Sequence, residues 1–282
     1  MDVDVVLCPG HSSCFNRLVG QCQLESFQRA LAHVGELAGR RVLDVGCGIG
    51  RWTHQLIQRG AHVTGVDIAP DAVKTTRGCC PTVHACVMSA TSLGFPDETF
   101  DLVTSVTVLQ HLPYQDQMRA VTELCRCLAR GGFLLLMEQL TWQPVEHGPR
   151  TRGQITFARS PEWWIDACAQ QGCTLVASDR HLFLPLINNV YLPAEQWMAD
   201  RLRGLLGQGR RATTPWTDQD RAISQQRSWL GCGEEWMNRA CLFLLSLPSY
   251  PLEAGLVRGC RAYRWVHQRW LGNHQTFVFR KP

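Results

Sequence analysis

The chain has 282 residues, 45% of them apolar and 18% charged, with a formal net charge of +4 at pH 7. That balance describes a folded globular protein, excludes a disordered or collagen-like chain, and is too weakly basic to argue for nucleic acid. No apolar stretch reaches the ~18 residues that would span a bilayer. No basic segment followed by an apolar run opens the sequence, so a cytoplasmic location is expected. Lys74 and Lys281 are the two lysines among 28 basic residues, an arginine bias read chiefly as coding bias.

The elements follow in chain order. Leu24, Phe27, Leu31, Val34 and Leu37 keep near-helical spacing and predict a helix over residues 24 to 37. Arg41 to Val45 reads as a short strand that runs into a glycine turn, and Trp52, Leu56 and Ile57 mark the buried stripe of a helix stopping at Gly60. AHVTGVDI is a second strand ending at Asp67, Pro70 opens a helix, and TVHACVM is a third strand. FDLVTSVTVLQHL reads as a fourth apolar run, Gln115 to Ala129 as a helix stopped by Gly131 and Gly132, and FLLLMEQL as a fifth strand. Ser160 as N-cap, Pro161 in the first turn and Gly172 past the end bracket another helix. CTLVASDRHLF is the sixth strand; after it the strand pattern returns only at HQTFVFRKP. Strands alternating with helices predict a largely parallel sheet covered on both faces. The long gap before the last strand predicts a helical insertion, rich in arginine and tryptophan.

Fourteen cysteines read mainly as buried free thiols of a reducing compartment. Cys8, His11, Cys14 and Cys22 form C-x2-H-x2-C-x7-C, a pattern that zinc ligands also use. Cysteine is common throughout this chain, so small buried side chains are the reading taken, and no metal is expected.

Three features carry chemistry. The first strand ends in Asp44-x-Gly46-x-Gly48-x-Gly50, which opens a helix. Bare glycines let a ligand lie against the backbone. Asp67, at the end of the second strand, suits a bidentate grip on ribose hydroxyls. A dinucleotide fingerprint spaces its glycines G-x-G-x-x-G to admit a pyrophosphate; here the spacing is G-x-G-x-G. The carboxylate of Asp44 would repel phosphates and suit an ammonium. The ligand this describes is a nucleoside with an amino-acid tail.

DVGCGIG with Asp67, followed by LGFPDETFDLV and VLQHLP, resembles the class I (Rossmann-like) S-adenosylmethionine-dependent methyltransferases, nearest the small-molecule type 11 group. The resemblance covers residues 40 to 140 well and 155 to 180 loosely. It implies an α/β fold with a seven-stranded sheet, its last strand antiparallel. It also implies that Gly46, Cys47, Gly48 and Gly50 line the methionine portion, with Asp44 placing the ammonium. By the same resemblance Asp67 holds the ribose, Ile68 packs on the adenine, and Ser105 and Val106 lie beneath the methionine. Ser89 and Ala90 occupy the adenine-side position where many relatives carry Asp, so a neutral hydroxyl replaces a carboxylate acceptor there.

Methyl transfer from a sulfonium needs alignment and exclusion of water, and a base only when the acceptor arrives protonated. His111, Glu138 and His181, after or late in strands four, five and six, are the base candidates. Closure of the pocket, a cap on a neighbouring helix or a bond to a backbone N–H, and a satisfied partly buried histidine are their respective structural alternatives. Tyr114 and Trp142 suit stacking or packing; Trp163 and Trp164 read as core.

The expected organisation is one domain over 1–282: an arm at 1–39, a cofactor core at 40–184, a helical cap at 185–270 and a final strand at 271–282. Within the cap, Arg201, Arg203, Arg210, Arg211 and Trp197 offer contacts for an acidic acceptor or form a solvated basic face. The expected function is methylation of a small molecule, O-methylation first and N- or C-methylation next, in bacterial secondary metabolism. The partner is then a small acceptor, with neither membrane nor nucleic acid. RNA or tRNA methylation, a cyclase-type scaffold that binds the cofactor without transfer, and a regulatory protein are the rivals.

Overall fold

The computed structural model describes residues 13–140, 156–181 and 274–282. In chain order these form α1 (Ser13–Val34), β1 (Arg41–Val45), α2 (Arg51–Ile57), β2 (His62–Asp67), α3 (Pro70–Cys79) and β3 (His84–Val87). Then come β4 (Phe100–Val106), a single 3-10 turn at Leu109–His111, α4 (Tyr114–Cys127), β5 (Leu128–Gln139), α5 (Pro161–Gln170), β6 (Thr174–His181) and β7 (His274–Arg280). The expected cap at 185–270, Trp142 and the N-terminal ligands Cys8 and His11 lie outside the described residues.

One seven-stranded sheet runs in the order β3-β2-β1-β4-β5-β7-β6. β7 is antiparallel to both β5 and β6, while the remaining pairings are parallel. Alternation along the central strands feeds two cores. Leu43, Val103, Leu134 and Leu136 pack with Val121, Leu124 and Trp164 of α4 and α5. Val42, Leu102, Leu135 and Val278 pack with Phe27, Leu31, Trp52, Leu56 and Val73 of α1 to α3. A sheet buried on both faces explains the near-continuous apolar runs of β4 and β5.

Three local expectations need correction. α1 starts well before residue 24. β4 stops at Val106, because Thr107 takes φ +56° and turns the chain out of the sheet. Gly131 and Gly132 do not stop α4. The helix ends at Cys127 and passes directly into β5, which carries both glycines as an irregularity where the backbone of Lys281 bonds to them. The α5 cap is as read: the Ser160 hydroxyl accepts from Trp163 N–H at 3.3 Å, an arrangement worth about 1 kcal/mol.

Candidate cofactor and active site

The carboxyl ends of β1, β2 and β4 meet at the glycine turn, the place where open α/β sheets bind ligands. Gly46 N–H and Cys47 N–H both donate to the Val66 carbonyl, at 2.7 and 3.0 Å, so the turn is sewn to β2. The three glycines are bare for different reasons. Gly46 (φ +73°) faces Val108, whose Cγ2 would stand 2.2 Å from an added Cβ. Gly50 backs onto Cys80 and Thr76, at 3.3 and 3.4 Å. Gly48 (φ +56°) faces open space, with the Gly46 carbonyl at 3.9 Å as its nearest neighbour.

Beside that opening lies Asp67. One carboxylate oxygen accepts from Gly48 N–H at 2.9 Å and the other from Ala69 N–H at 2.9 Å. Its orientation is thereby fixed before any ligand arrives. Ile68, next to it, is 72% exposed, an apolar surface that nothing in the fold requires. A bare backbone, a pre-oriented carboxylate and an exposed apolar side chain together fit the nucleoside-and-amino-acid ligand read from the sequence.

The other expected cofactor residues lie deeper. Asp44 is fully buried, its oxygens accepting from the hydroxyls of Thr53 (2.6 Å) and Thr104 (3.0 Å). Burial outweighs these bonds and pushes its carboxyl up to about 6. It is a floor beneath the turn, not an open carboxylate. Cys47 is buried and its thiol is pushed up to about 12, first by burial and then by Asp44. Ser105 and Val106 are buried as well, and the Ser105 hydroxyl has no hydrogen-bond partner among the described residues. Ser89 turns inward on its own loop, sharing a 2.8 Å bond with the Thr91 hydroxyl and accepting from Thr91 N–H, while Ala90 is buried beside it.

Of the three base candidates, His111 ends the 3-10 turn and is exposed, its Nε2 3.5 Å from Gln110 Nε2. His181 closes β6 opposite His274 in register. Glu138, a base candidate with a bond to a backbone N–H as its alternative, makes two such bonds. It is wholly buried, with Oε1 accepting from Leu109 N–H (3.1 Å) and Oε2 from Gln110 N–H (3.0 Å). Burial pushes its carboxyl up to about 8 against the pull of those N–H groups. Its oxygens serve the turn after β4.

Sequence reasoning missed the opposite side of that turn. Gln117 donates its amide to the carbonyls of Leu109 (3.1 Å), Leu112 (3.2 Å) and Phe157 (2.7 Å). Arg159 in turn donates to Gln117 Oε1 at 2.8 Å and lies 4.1 Å over the Tyr114 ring and 4.4 Å over that of Trp163. The available signal was a glutamine on the apolar stripe of α4, in step with Val121 and Leu124. Arg51 was missed too. It donates to the Gly20 carbonyl (2.6 Å) and Gln23 Oε1 (2.7 Å), tying α1 to the residue after the last glycine. Among the described residues no group of His, Cys, Asp and Glu side chains is placed to hold a metal, and no helix is long and apolar enough to cross a membrane.

Sheet order, lone antiparallel β7 and glycine turn after β1 define a class I, Rossmann-like methyltransferase fold. Residues 43–136 match the family described as "Methyltransferase domain". Over those residues the chain is similar to the class I S-adenosylmethionine-dependent methyltransferases of the type 11 group, and the cofactor this domain implies is S-adenosylmethionine. The chain is 38% identical over 120 residues to a 2-methyl-6-phytyl-1,4-hydroquinone methyltransferase of Synechocystis, covering 40% of this chain and 37% of the relative. It is 36% identical over 129 residues to a ubiquinone biosynthesis O-methyltransferase of Xanthomonas euvesicatoria, covering 44% and 53%. The matched stretch thus spans about half the length of these relatives or less. Among solved structures, the YcgJ protein of Bacillus subtilis aligns at TM-score 0.50 and 21% identity over 71% of this chain and 87% of that one. The [4+2]-cyclase SpnF aligns at 0.50 and 19% over 90% and 81%. Both likenesses are of fold.

Proposed function

We propose that this protein transfers the methyl group of S-adenosylmethionine to a small-molecule acceptor, with a ring hydroxyl as the first acceptor class and nitrogen or carbon next. The observation that carries the reading is the opening at Gly48, bare of neighbours and flanked by the fixed Asp67 carboxylate and exposed Ile68. Gly46, Cys47, Gly48 and Gly50 would line the amino-acid end of the cofactor, over Asp44, Ser105 and Val106. Asp67 would take the ribose hydroxyls, with Ile68, Ser89 and Ala90 around the adenine. The cofactor, when bound, supplies an activated methyl on a sulfonium.

The chain's own work is then alignment and dryness. The turn Thr107–Leu112 walls the site beside the glycines, and His111 is the group positioned to take a proton from an acceptor hydroxyl. A ring hydroxyl is favoured because one relative named above is a ubiquinone biosynthesis O-methyltransferase; the other is named for a hydroquinone without the atom methylated, which keeps carbon in the list. The organisation read from the sequence goes with it: an arm, a core and a cap at 185–270 that selects the acceptor, in a cytoplasmic enzyme of secondary metabolism.

The test incubates purified protein with methyl-labelled S-adenosylmethionine and, separately, a panel of phenols and hydroquinones, a metabolite extract, and bulk tRNA. Label in small molecules supports the reading. Label in tRNA overturns it, and tight cofactor binding with transfer to nothing points to a scaffold that does not methylate.

A further inference from the structure

The turn after β4 is held in an unfavourable shape, and the means of holding it are specific. Thr107 is β-branched yet sits at φ +56°, a left-handed conformation that persists only where surroundings over-determine it. Thr107 N–H donates to the Met137 carbonyl at 2.6 Å. One residue past Met137, Glu138 offers both oxygens to the N–H groups of Leu109 and Gln110. Gln110 returns the contact, its Oε1 accepting from Gln139 N–H at 2.8 Å. From the other side Gln117 gathers the carbonyls of Leu109 and Leu112. The donors of the turn are thus met by a carboxyl and its acceptors by an amide. Between Thr107 and Leu109 stands Val108, the side chain packed into the space left by Gly46.

We propose that Glu138 is a positioning residue for the cofactor site: with Gln117 it clamps the strained Thr107–Leu112 turn, and through Val108 it holds the glycine loop in its ligand-receiving shape. The same clamp fixes where His111 stands. The inference rests on the reading of this pocket as an S-adenosylmethionine site. Glu138 contacts neither cofactor nor acceptor; it acts through the turn. Glu138 gives each N–H its own oxygen, whereas an amide in the same pose would set its NH2 donor against one of them.

The experiment compares the parent with Glu138→Gln, Gln117→Leu and Asp179→Asn. Asp179 receives Ser26 and Arg29 of α1 at 2.8 and 2.7 Å, so its substitution loosens the fold away from the turn. S-adenosylhomocysteine affinity is measured by calorimetry at a temperature where circular dichroism shows every variant folded. Amide spectra report on Leu109 and Gln110. Glu138→Gln is expected to weaken binding at least tenfold and to shift both amides. Gln117→Leu should weaken it three- to tenfold, and Asp179→Asn should lower the melting temperature with affinity within twofold of the parent. Should Glu138→Gln not fold, Gln117→Leu decides. Affinity within twofold of the parent in every folded turn variant overturns the inference, as does an equal loss in Asp179→Asn. A parent that does not bind S-adenosylhomocysteine overturns the underlying reading instead, and this inference with it.

Discussion

Substituting Gly46 with alanine tests the coupling between the glycine turn and the turn after β4. The new Cβ would meet Val108 Cγ2 at 2.2 Å and Cγ1 at 2.9 Å, with φ at +73°. The left-handed conformation costs a non-glycine residue about 1–2 kcal/mol, and overpacking against a side chain stiff at χ1 adds roughly 1–3. Gly46→Ala should therefore cost about 3 kcal/mol. Val108→Ala alone, at a half-buried position, should cost about 1 kcal/mol. The double variant removes both offending methyls and leaves only the Val108 Cβ at 3.1 Å, so it should be more stable than the sum of the singles by about 1–2 kcal/mol. Urea unfolding followed by tryptophan fluorescence gives all four free energies, since Trp52 and Trp164 are buried. If the single effects add to within ~0.5 kcal/mol, the two turns are not packed as described.

At Gly48 the outcome should invert. Gly48→Ala should cost only the ~1–2 kcal/mol of its left-handed backbone, yet weaken S-adenosylhomocysteine binding tenfold or more by calorimetry; unchanged affinity would remove the ligand from this opening. Glu138 and Asp44 are raised from 4.5 to about 8 and from 3.8 to about 6. The folded state therefore holds protons the unfolded chain has released. Their contribution to stability is full below about pH 4 and is lost as pH rises through 6 and then 8. The fall is a few kcal/mol at ~1.36 kcal/mol for each tenfold change in proton affinity. Urea unfolding from pH 5 to 8.5 should show it, and Glu138→Gln should flatten the upper part; a wild-type profile that rises across this range would refute the assignment. Arg51→Leu should free α1, speeding amide exchange at Val19 to Ala30 while β1 and β4 stay protected; uniform exchange across both would show that the latch to Gly20 and Gln23 does nothing separable.

Much of this was legible in the residues. The order of strands followed from alternating apolar runs, and β7 at HQTFVFR was found despite its distance from β6, because its β-branched and aromatic content survives without neighbours. The glycine turn and Asp67 were legible because their chemistry is local: a bare backbone and a carboxylate a fixed distance along the chain. For Glu138 a bond to a backbone N–H was legible as an alternative but its partners were not, since Leu109 and Gln110 belong to a turn that only tertiary packing brings over the end of β5. Thr107 carries no signal at all, because nothing in SVTVLQ announces a left-handed threonine; the strain is imposed by the fold around it. Ser105 and Val106 were assigned by the family resemblance, and only the structure reveals that both are buried at the end of β4.

β6 and β7 pair in register out to His181 and His274, so the two points between which residues 182–273 are attached face each other on a single rung of the ladder. Topologically this is a hairpin whose turn has been replaced by a long stretch of chain. Because the two attachment points are neighbours, a segment of any length, composition or fold can be fitted there without shifting a strand, and a two-residue turn would close the same ladder. β6 is also parallel to β1 and β4 in direction, which sets both attachment points at the carboxyl edge, on the same side as the glycine turn. The scaffold thus separates a constant sheet from an attachment point free to be exchanged, and it puts that point on the edge where the glycine turn lies.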